Sequence, residues 1–219
     1  MQSRLIPSEK LEDLLHYFIA SKKNYDEEKH TLNIETEQLN FALRLPWQLD
    51  KNLLPIEKTY VICLIQTESA VVGLVKNEEL LSHKTFSTYA VRKKQGKSQI
   101  KYLKTRGKSK AGSRLRLANT INFFEHINER LTSFFKDEKV EKIVFSCSKI
   151  LIPYLFTSKV PCPFDKKDTR IFKLPKYIPN ANFEDLKETL KYLNRGELMF
   201  EDTDLPEMES LLKDLFNNQ

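Results

Sequence analysis

The residues with the most chemical potential lie in one stretch, where Arg92 to Gln99 read RKKQGKSQ and Gly107 to Arg116 read GKSKAGSRLR. Between Arg92 and Arg116 there are eleven basic residues and no acidic one: Arg92, Lys93, Lys94, Lys97, Lys101, Lys104, Arg106, Lys108, Lys110, Arg114 and Arg116. The chain carries +6 overall, so everything outside this stretch is net −5. One intensely positive stretch on a mildly acidic protein is an electrostatic footprint for a polyanion, and nucleic acid fits it. The stretch holds no His, Asp, Glu or Cys, so an ordinary titrating group for acid/base catalysis is absent from it. Its glutamines, Gln95 and Gln99, are neutral but can orient a water or a ribose hydroxyl through hydrogen bonds. Chemistry at such a site would rest on positioning, with Arg92, Lys97 and neighbouring cations stabilising charge that develops on phosphate or ester oxygens. The plainer alternative is a solvated basic loop that aids solubility or holds nucleic acid without selectivity.

Three of the five glycines, Gly96, Gly107 and Gly112, fall in the same stretch. Like charges and glycines without apolar anchors predict a long loop over Arg92 to Arg116 that is poorly ordered in the free protein. The flanking elements must hold it. Tyr60 to Ile65 is apolar and rich in β-branched residues, as in a strand buried on both faces. Ala70 to Val75 and Leu81 to Arg92 follow at short spacing, which predicts an antiparallel meander. Beyond the basic stretch, Leu117, Ile121, Phe124, Ile127, Leu131 and Phe134 repeat every three or four residues and predict a long amphipathic helix, with Asn119 and Asn122 on its other faces. A strand at Lys142 to Cys147, a helical stretch around Ile150 to Phe156 and a strand at Thr169 to Leu174 come next. Asn182 caps a helix carrying Leu186, Leu190 and Leu193, and an acidic helix spans Pro206 to Phe216. Near the start, Leu11, Leu14, Leu15, Phe18 and Ile19 predict a helix, and one or two short strands fall within Thr31 to Leu45.

The order predicts a mixed α/β (α+β) fold with helices covering one sheet. It is compatible with a ribonuclease-H-like sheet, although order alone does not select one. Residues 1–54 form a small N-terminal extension, 55–200 the main domain and 201–219 an acidic C-terminal helix on this reading. Three cysteines, Cys63, Cys147 and Cys162, make no disulfide framework and point to a reducing compartment. Without a long apolar run or a secretory leader, a cytoplasmic location with no membrane association is expected. His16, His30, His83 and His126 have no metal-ligand spacing among them or with the cysteines, so neither a metal nor another cofactor is expected. A ribonuclease-H-like nuclease is disfavoured, because the matching strands lack a carboxylate cluster for metal ions.

The stretch from His83 to Asn119, HKTFSTYAVRKKQGKSQ followed by GKSKAGSRLR, resembles the release-factor-like VLRF domain of the Vms/ANKZF ribosome quality-control proteins. IFKLPKYIPNANFEDLKETLKYL, residues 171 to 193, resembles that domain's closing pattern, and together the likeness spans about residues 58 to 200. It implies a fold similar to the middle domain of eukaryotic and archaeal peptide release factors, whose loop carries a Gly-Gly-Gln motif into the peptidyl-transferase centre. It also implies release of nascent chains from peptidyl-tRNA on stalled large ribosomal subunits, by ester hydrolysis or by cutting at the tRNA CCA end. Gln99 matches the family's essential glutamine, Gly96 and Ser98 its loop glycine and serine, and Gln95 and Arg92 the flanking positions. The partners implied are the large subunit, its rRNA and the CCA end of peptidyl-tRNA. Lys97 stands where the family usually has a second glycine, and Thr88 where it often has a basic residue. Those two positions carry the alternative, a non-catalytic ribosome- or tRNA-binding factor of the same fold.

Overall fold

The computed structural model describes residues 1–37, 39–88 and 108–216, with the backbone alone for 108–118. The chain divides into two compact units: Thr59–Leu186, and a second built from both ends of the sequence, Met1–Lys58 with Lys187–Gln219. Each is a mixed or antiparallel sheet with helical cover, so the architecture is α+β with two sheets where the sequence predicts one.

The Thr59–Leu186 unit is organised around β5 (Thr59–Ile65), whose seven residues are all buried. It pairs antiparallel with β6 (Ser69–Lys76), and β6 with β7 (Glu79–Ser87), which is the meander expected from the short connections. On its other side β5 runs parallel to β8 (Lys142–Cys147), and β8 parallel to β9 (Ile171–Lys173). The spatial order β7-β6-β5-β8-β9 puts the first strand of this unit at its centre. A parallel neighbour requires a crossover, and α2 (Lys108–Asp137) supplies it. Phe123, Phe124, Ile127, Leu131 and Phe134 form its buried stripe and pack with Val61, Cys63, Ile65, Val72 and Ile143. The short helix α3 (Ile152–Phe156) follows β8, with a proline in its first turn where the missing N–H costs nothing. Asn128, fully buried on α2, donates to the carbonyls of Leu155 and Val160 at 2.8 Å each and so fixes the chain leaving α3. Gly73 in β6 is needed for close approach, since a Cβ there would lie 3.0 Å from methyls of Leu186 and Leu80.

One sequence expectation needs correction here, and two fall wholly or partly outside the described residues. The helix expected after the basic stretch starts nine residues earlier, at Lys108, so Lys108 to Arg116 are helical and not part of the loop. Lys, Arg, Ala and Leu are good helix formers, and they outweigh Gly112 there. The described part of β7 is Glu79–Ser87, and Tyr89 to Arg92 lie outside the described residues. The expectation of a poorly ordered loop falls, for residues 89–107, outside them as well.

The other unit is a five-stranded antiparallel sheet in the order β1-β10-β4-β3-β2, from β1 (Gln2–Ile6), β2 (Lys22–Asp26), β3 (Thr31–Glu35), β4 (Asn40–Arg44) and β10 (Gly196–Phe200). β1, β2 and β10 were not anticipated from the sequence. The helices α1 (Leu11–Tyr17) and α5 (Leu205–Phe216) belong to this unit, and Leu11, Leu14, Phe18, Leu32, Ile34, Leu43, Leu198 and Met208 form its core. Ile19 lies beyond the end of α1 and is 70% exposed, not on the buried face as the leucine spacing suggests. The helix α4 (Phe183–Leu193) opens with a reciprocal cap: Asp185 N–H donates to Asn182 Oδ1 at 2.9 Å, and Asn182 N–H to Asp185 Oδ2 at 3.1 Å.

Arg44, 3% exposed, sits at the end of β4. Its guanidinium donates to the carbonyls of Tyr192 (2.9 Å), Arg195 (3.0 Å) and Leu45 (3.2 Å), and to Glu197 at 3.3 Å. It also stacks on the Tyr192 ring at 4.3 Å. Trp47 N–H donates to Leu193 O at 3.0 Å and Gln48 Nε2 to Asn194 O at 3.1 Å. A helix end leaves its last carbonyls without partners, and here Arg44, Trp47 and Gln48 supply donors to those of Tyr192, Leu193, Asn194 and Arg195. Replacing Arg44 by Ala removes the cation that pairs with Glu197 and a donor from three carbonyls, so a loss of about 3–5 kcal/mol of stability is expected in urea denaturation. A loss below about 1 kcal/mol would mean that other donors take over.

His30, buried and in the left-handed region at φ 54, meets the Tyr25 hydroxyl with Nδ1 (2.7 Å) and the Pro46 carbonyl with Nε2 (3.0 Å). A carbonyl only accepts, so Nε2 carries the proton of the neutral ring. Burial pushes its pKa down from 6.5 to about 4. The unfolded chain therefore takes the proton first as pH falls, and stability present above about pH 6.5 is lost toward pH 4. Between pH 7.5 and 4.5 the wild type should lose about 2–3 kcal/mol more than His30→Asn, which tolerates the positive φ without titrating. Parallel pH profiles for the two proteins would contradict this.

Candidate nucleic-acid interface

Strand direction decides at which end of the sheet Thr88, the last described residue before the basic stretch, lies. β6 is antiparallel to both β5 and β7, so β7 runs with β5, as do β8 and β9. Ile65, Ser87, Cys147 and Lys173 therefore end their strands at one edge. In sheets with parallel strands, ligands gather outside the carboxyl ends, near the point where the chain switches from one side of the first strand to the other. Here that point lies between β5 and β8.

The described chain reaches this edge at Thr88 and resumes at Lys108, the start of α2. Its exit is pinned by a hydrogen bond from Thr88 N–H to Glu68 O in the β5–β6 turn (2.9 Å). Further along, Arg130 of α2 donates to Ser82 Oγ of β7 at 2.6 Å, tying the returning helix to the departing strand. The first turn of α2 has no acidic residue and contains Lys108 and Lys110.

At the root of the segment lies a cleft of about 220 Å³ lined by Phe86, Ser87, Thr88, Asn119, Asn122, Phe123 and His126. Phe123 is buried and forms an apolar wall, while Asn122 and His126 are exposed. Two amides, two hydroxyls and an imidazole beside two phenyl rings can hydrogen-bond and stack on a flat heteroaromatic group. Asn119, Asn122 and His126 occupy one helix face at three- and four-residue spacing, immediately after the basic stretch. That spacing was the available signal, but the reading of the apolar stripe assigns the asparagines only to outer faces and His126 to scattered histidines.

Of the residues singled out from the sequence, Arg92, Lys93, Lys94, Gln95, Gly96, Lys97, Ser98, Gln99, Lys101, Lys104 and Arg106 lie outside the described residues. Lys108, Lys110, Arg114 and Arg116 fall on the backbone of the first turns of α2. The cysteines are poor nucleophiles: burial raises Cys63 well above the usual thiol range, Cys147 to about 12 and Cys162 to about 11. Among the described residues no group of three His, Cys, Asp or Glu side chains is placed to hold a metal ion. None of the described helices is long and apolar enough to cross a membrane.

Comparison with protein families matches residues 60–200 to the Bacteroidetes VLRF1 release factor family, bVLRF1. The chain belongs to this family. The match runs from β5 to the end of β10 and contains the basic stretch, the cleft and α4. The resemblance to the VLRF domain is thereby borne out, and the bVLRF1 chain is a release-factor-like protein. No curated protein matches it. A solved structure titled "Vms1 mitochondrial localization core" is similar at a TM-score of 0.46 and 12% identity, covering 85% of this chain and 93% of that one.

If roughly five to eight cations of the basic stretch meet phosphates, log affinity for RNA should fall with log salt at a slope of about −4 to −6 on flexible single strands. Reversing Lys101, Lys104, Arg106, Lys108 and Lys110 to Glu should flatten that slope in filter binding. An unaltered slope would place the RNA-binding face elsewhere.

Proposed function

We propose that this bVLRF1 protein acts in ribosome rescue and quality control in the cytoplasm, cleaving peptidyl-tRNA at its CCA end and releasing the nascent chain from stalled large subunits. Membership of a release-factor family carries the reading, and it ties the chain to translation termination and to ribosome and tRNA partners in general. The position of Thr88, the last described residue before the basic stretch, at the carboxyl edge of the sheet and on the wall of a polar cleft supports it.

On this reading Gln99 is the catalytic residue. Its amide orients the attacking water or a ribose hydroxyl, while Gly96 and Ser98 shape the approach of the backbone. Arg92, Lys93, Lys94, Gln95, Lys97 and the cations from Lys101 to Arg116 hold rRNA and tRNA phosphates and offset the charge that develops on the reacting oxygens. Water attack breaks the ester and leaves the tRNA intact, whereas attack by an internal 2′-hydroxyl on its adjacent 3′-phosphodiester forms a 2′,3′-cyclic phosphate, expels the 5′-hydroxyl of the next nucleotide and so cuts the tRNA itself. Either way the cation-rich site needs no resident cofactor.

A second reading, a non-catalytic factor that occupies the tRNA site, is favoured by Lys97 in place of a second glycine, which narrows backbone freedom next to Ser98 and Gln99. Gln99→Ala separates the two, because it removes one amide and leaves every charge in place. Release from stalled peptidyl-tRNA on large subunits should fall by about 10² or more, with subunit affinity within a few-fold of wild type. Mapping the 3′ end of the released tRNA distinguishes ester hydrolysis from tRNA cleavage. A wild-type protein that binds subunits without releasing peptide, or a Gln99→Ala variant that releases at the original rate, would replace the enzyme reading with the binding one.

A further inference from the structure

Resting on the reading that this face meets RNA, we infer that the strap from Leu174 to Ala181 is a second, rigid RNA contact, with Tyr177 as a stacking platform for an unpaired base and Lys173 and Lys176 as phosphate contacts. The strap leaves the end of β9, and its far part is bound to the β5–β6 turn. Leu174 N–H donates to Phe145 O (3.1 Å), Gln66 Nε2 to Ile178 O and Ser69 Oγ to Asn180 O. Leu174, Ile178 and Ala181 are buried and anchor it from below. It therefore crosses the carboxyl edge of the sheet, toward the same turn whose Glu68 carbonyl holds Thr88 at the root of the basic stretch.

The upper side of the strap has a different chemistry. Tyr177 is 79% exposed, and Lys173 and Lys176 are exposed beside it. Among the described residues none of the three side chains has a hydrogen bond, ion pair or ring contact. No acidic residue lies between Thr169 and Asn182, so nothing on the strap itself competes for the lysines. Pro175 and Pro179 flank the tyrosine at equal distance and fix φ on both sides. An exposed aromatic ring on a backbone already held in place loses little freedom on binding, which is the condition for an efficient stacking contact. Aromatic rings with adjacent cations are the usual means of holding single-stranded RNA, because every base has a face to stack while the phosphates meet the charge. Neighbouring Lys149 and Ile150, which follow β8 at the same edge, are also exposed.

The test is titration of the full chain with a fluorescent single-stranded RNA ending in an unpaired 3′ tail, across a salt series. Tyr177→Ala should weaken binding about 5- to 100-fold, as expected for loss of one base stack, with the salt slope unchanged. Tyr177→Trp should retain affinity, and thermal unfolding of both variants should match wild type because the ring supports no core. Lys173→Glu/Lys176→Glu should weaken binding and reduce the slope by about 1–2. Wild-type affinity for Tyr177→Ala, alongside loss of binding when Lys101, Lys104 and Arg106 are reversed, would overturn the strap and leave the release-factor reading standing. A wild-type protein that fails to bind the RNA at any salt would overturn both. Tyr177→Ala that binds RNA normally but loses affinity for intact large subunits would reassign the strap to a protein surface and overturn its RNA role.

Discussion

The unit built from the two ends of the sequence depends on one buried cation. Arg44 gathers four acceptors: the carbonyls of Tyr192 in the last turn of α4 and of Arg195 just beyond it, the Glu197 carboxylate and the carbonyl of Leu45 next to itself. A buried guanidinium is tolerable only when its donors are met and its charge is paired, and both conditions hold. The consequence is topological. With the end of α4 fixed against the end of β4, the chain that emerges at Gly196 enters the sheet between β4 and β1, where residues 41–44 pair with 197–200. Gly196 is required at that point, since a Cβ would lie 2.8 Å from a Leu11 methyl. Met1 then meets Asp202 and Arg4 meets Glu209, exposed pairs that follow from the pairing rather than cause it.

Charge is divided between the units as sharply as sequence position is. Residues 1–58 and 187–219 carry 12 basic and 18 acidic side chains, whereas residues 59–186 carry 24 basic and 12 acidic. The net −6 and +12 mean that attraction to a polyanion belongs to the Thr59–Leu186 unit alone. Within it, two basic residues outside the basic stretch are held in ion pairs, Lys76 with Glu138 at 3.0 Å and Arg170 with Asp168 at 2.7 Å. Lys173, at the end of β9, and Lys176, on the strap, lie in a run from Thr169 to Asn182 that has no carboxylate.

Elements whose periodicity reports burial were legible in the sequence: β5 with its unbroken apolar run, β8, the stripe of α2, and the α4 cap at Asn182. Those that failed share a physical cause. β2, KKNYD, is an edge strand whose charged side chains protect an open edge, so it shows no apolar alternation to read. β1 and β10 are short and find each other across nearly the whole chain, Gln2 opposite Phe200, a pairing no local pattern encodes. The candidate site divides the same way. Its cations and glutamines stand out by composition, and the VLRF likeness located them. The cleft and the strap do not stand out, because each is assembled from separate segments: the end of β7 with a face of α2, and the chain after β9 with the β5–β6 turn. His126 is the instructive case, being one of four scattered histidines in the sequence and a lining residue of the cleft in three dimensions.

A neutral amide is also the group that this surface can best use, on the proposed reading. Within a stretch of eleven cations a carboxylate would be held ionised by its neighbours and weakened as a base, and an imidazole would be discouraged from accepting a proton. Glutamine has no protonation state to lose, so its hydrogen bonds survive in the field needed to hold RNA. The trade is that an uncharged group contributes by geometry alone, and geometry must then come from the scaffold. The anchors that flank the stretch answer that need: Thr88 to Glu68 where the segment departs, and Arg130 to Ser82 along the helix that receives it. Catalysis by positioning and binding by charge thus place different demands on neighbouring residues, which is why an amide and a run of cations can share a few residues of chain without either compromising the other.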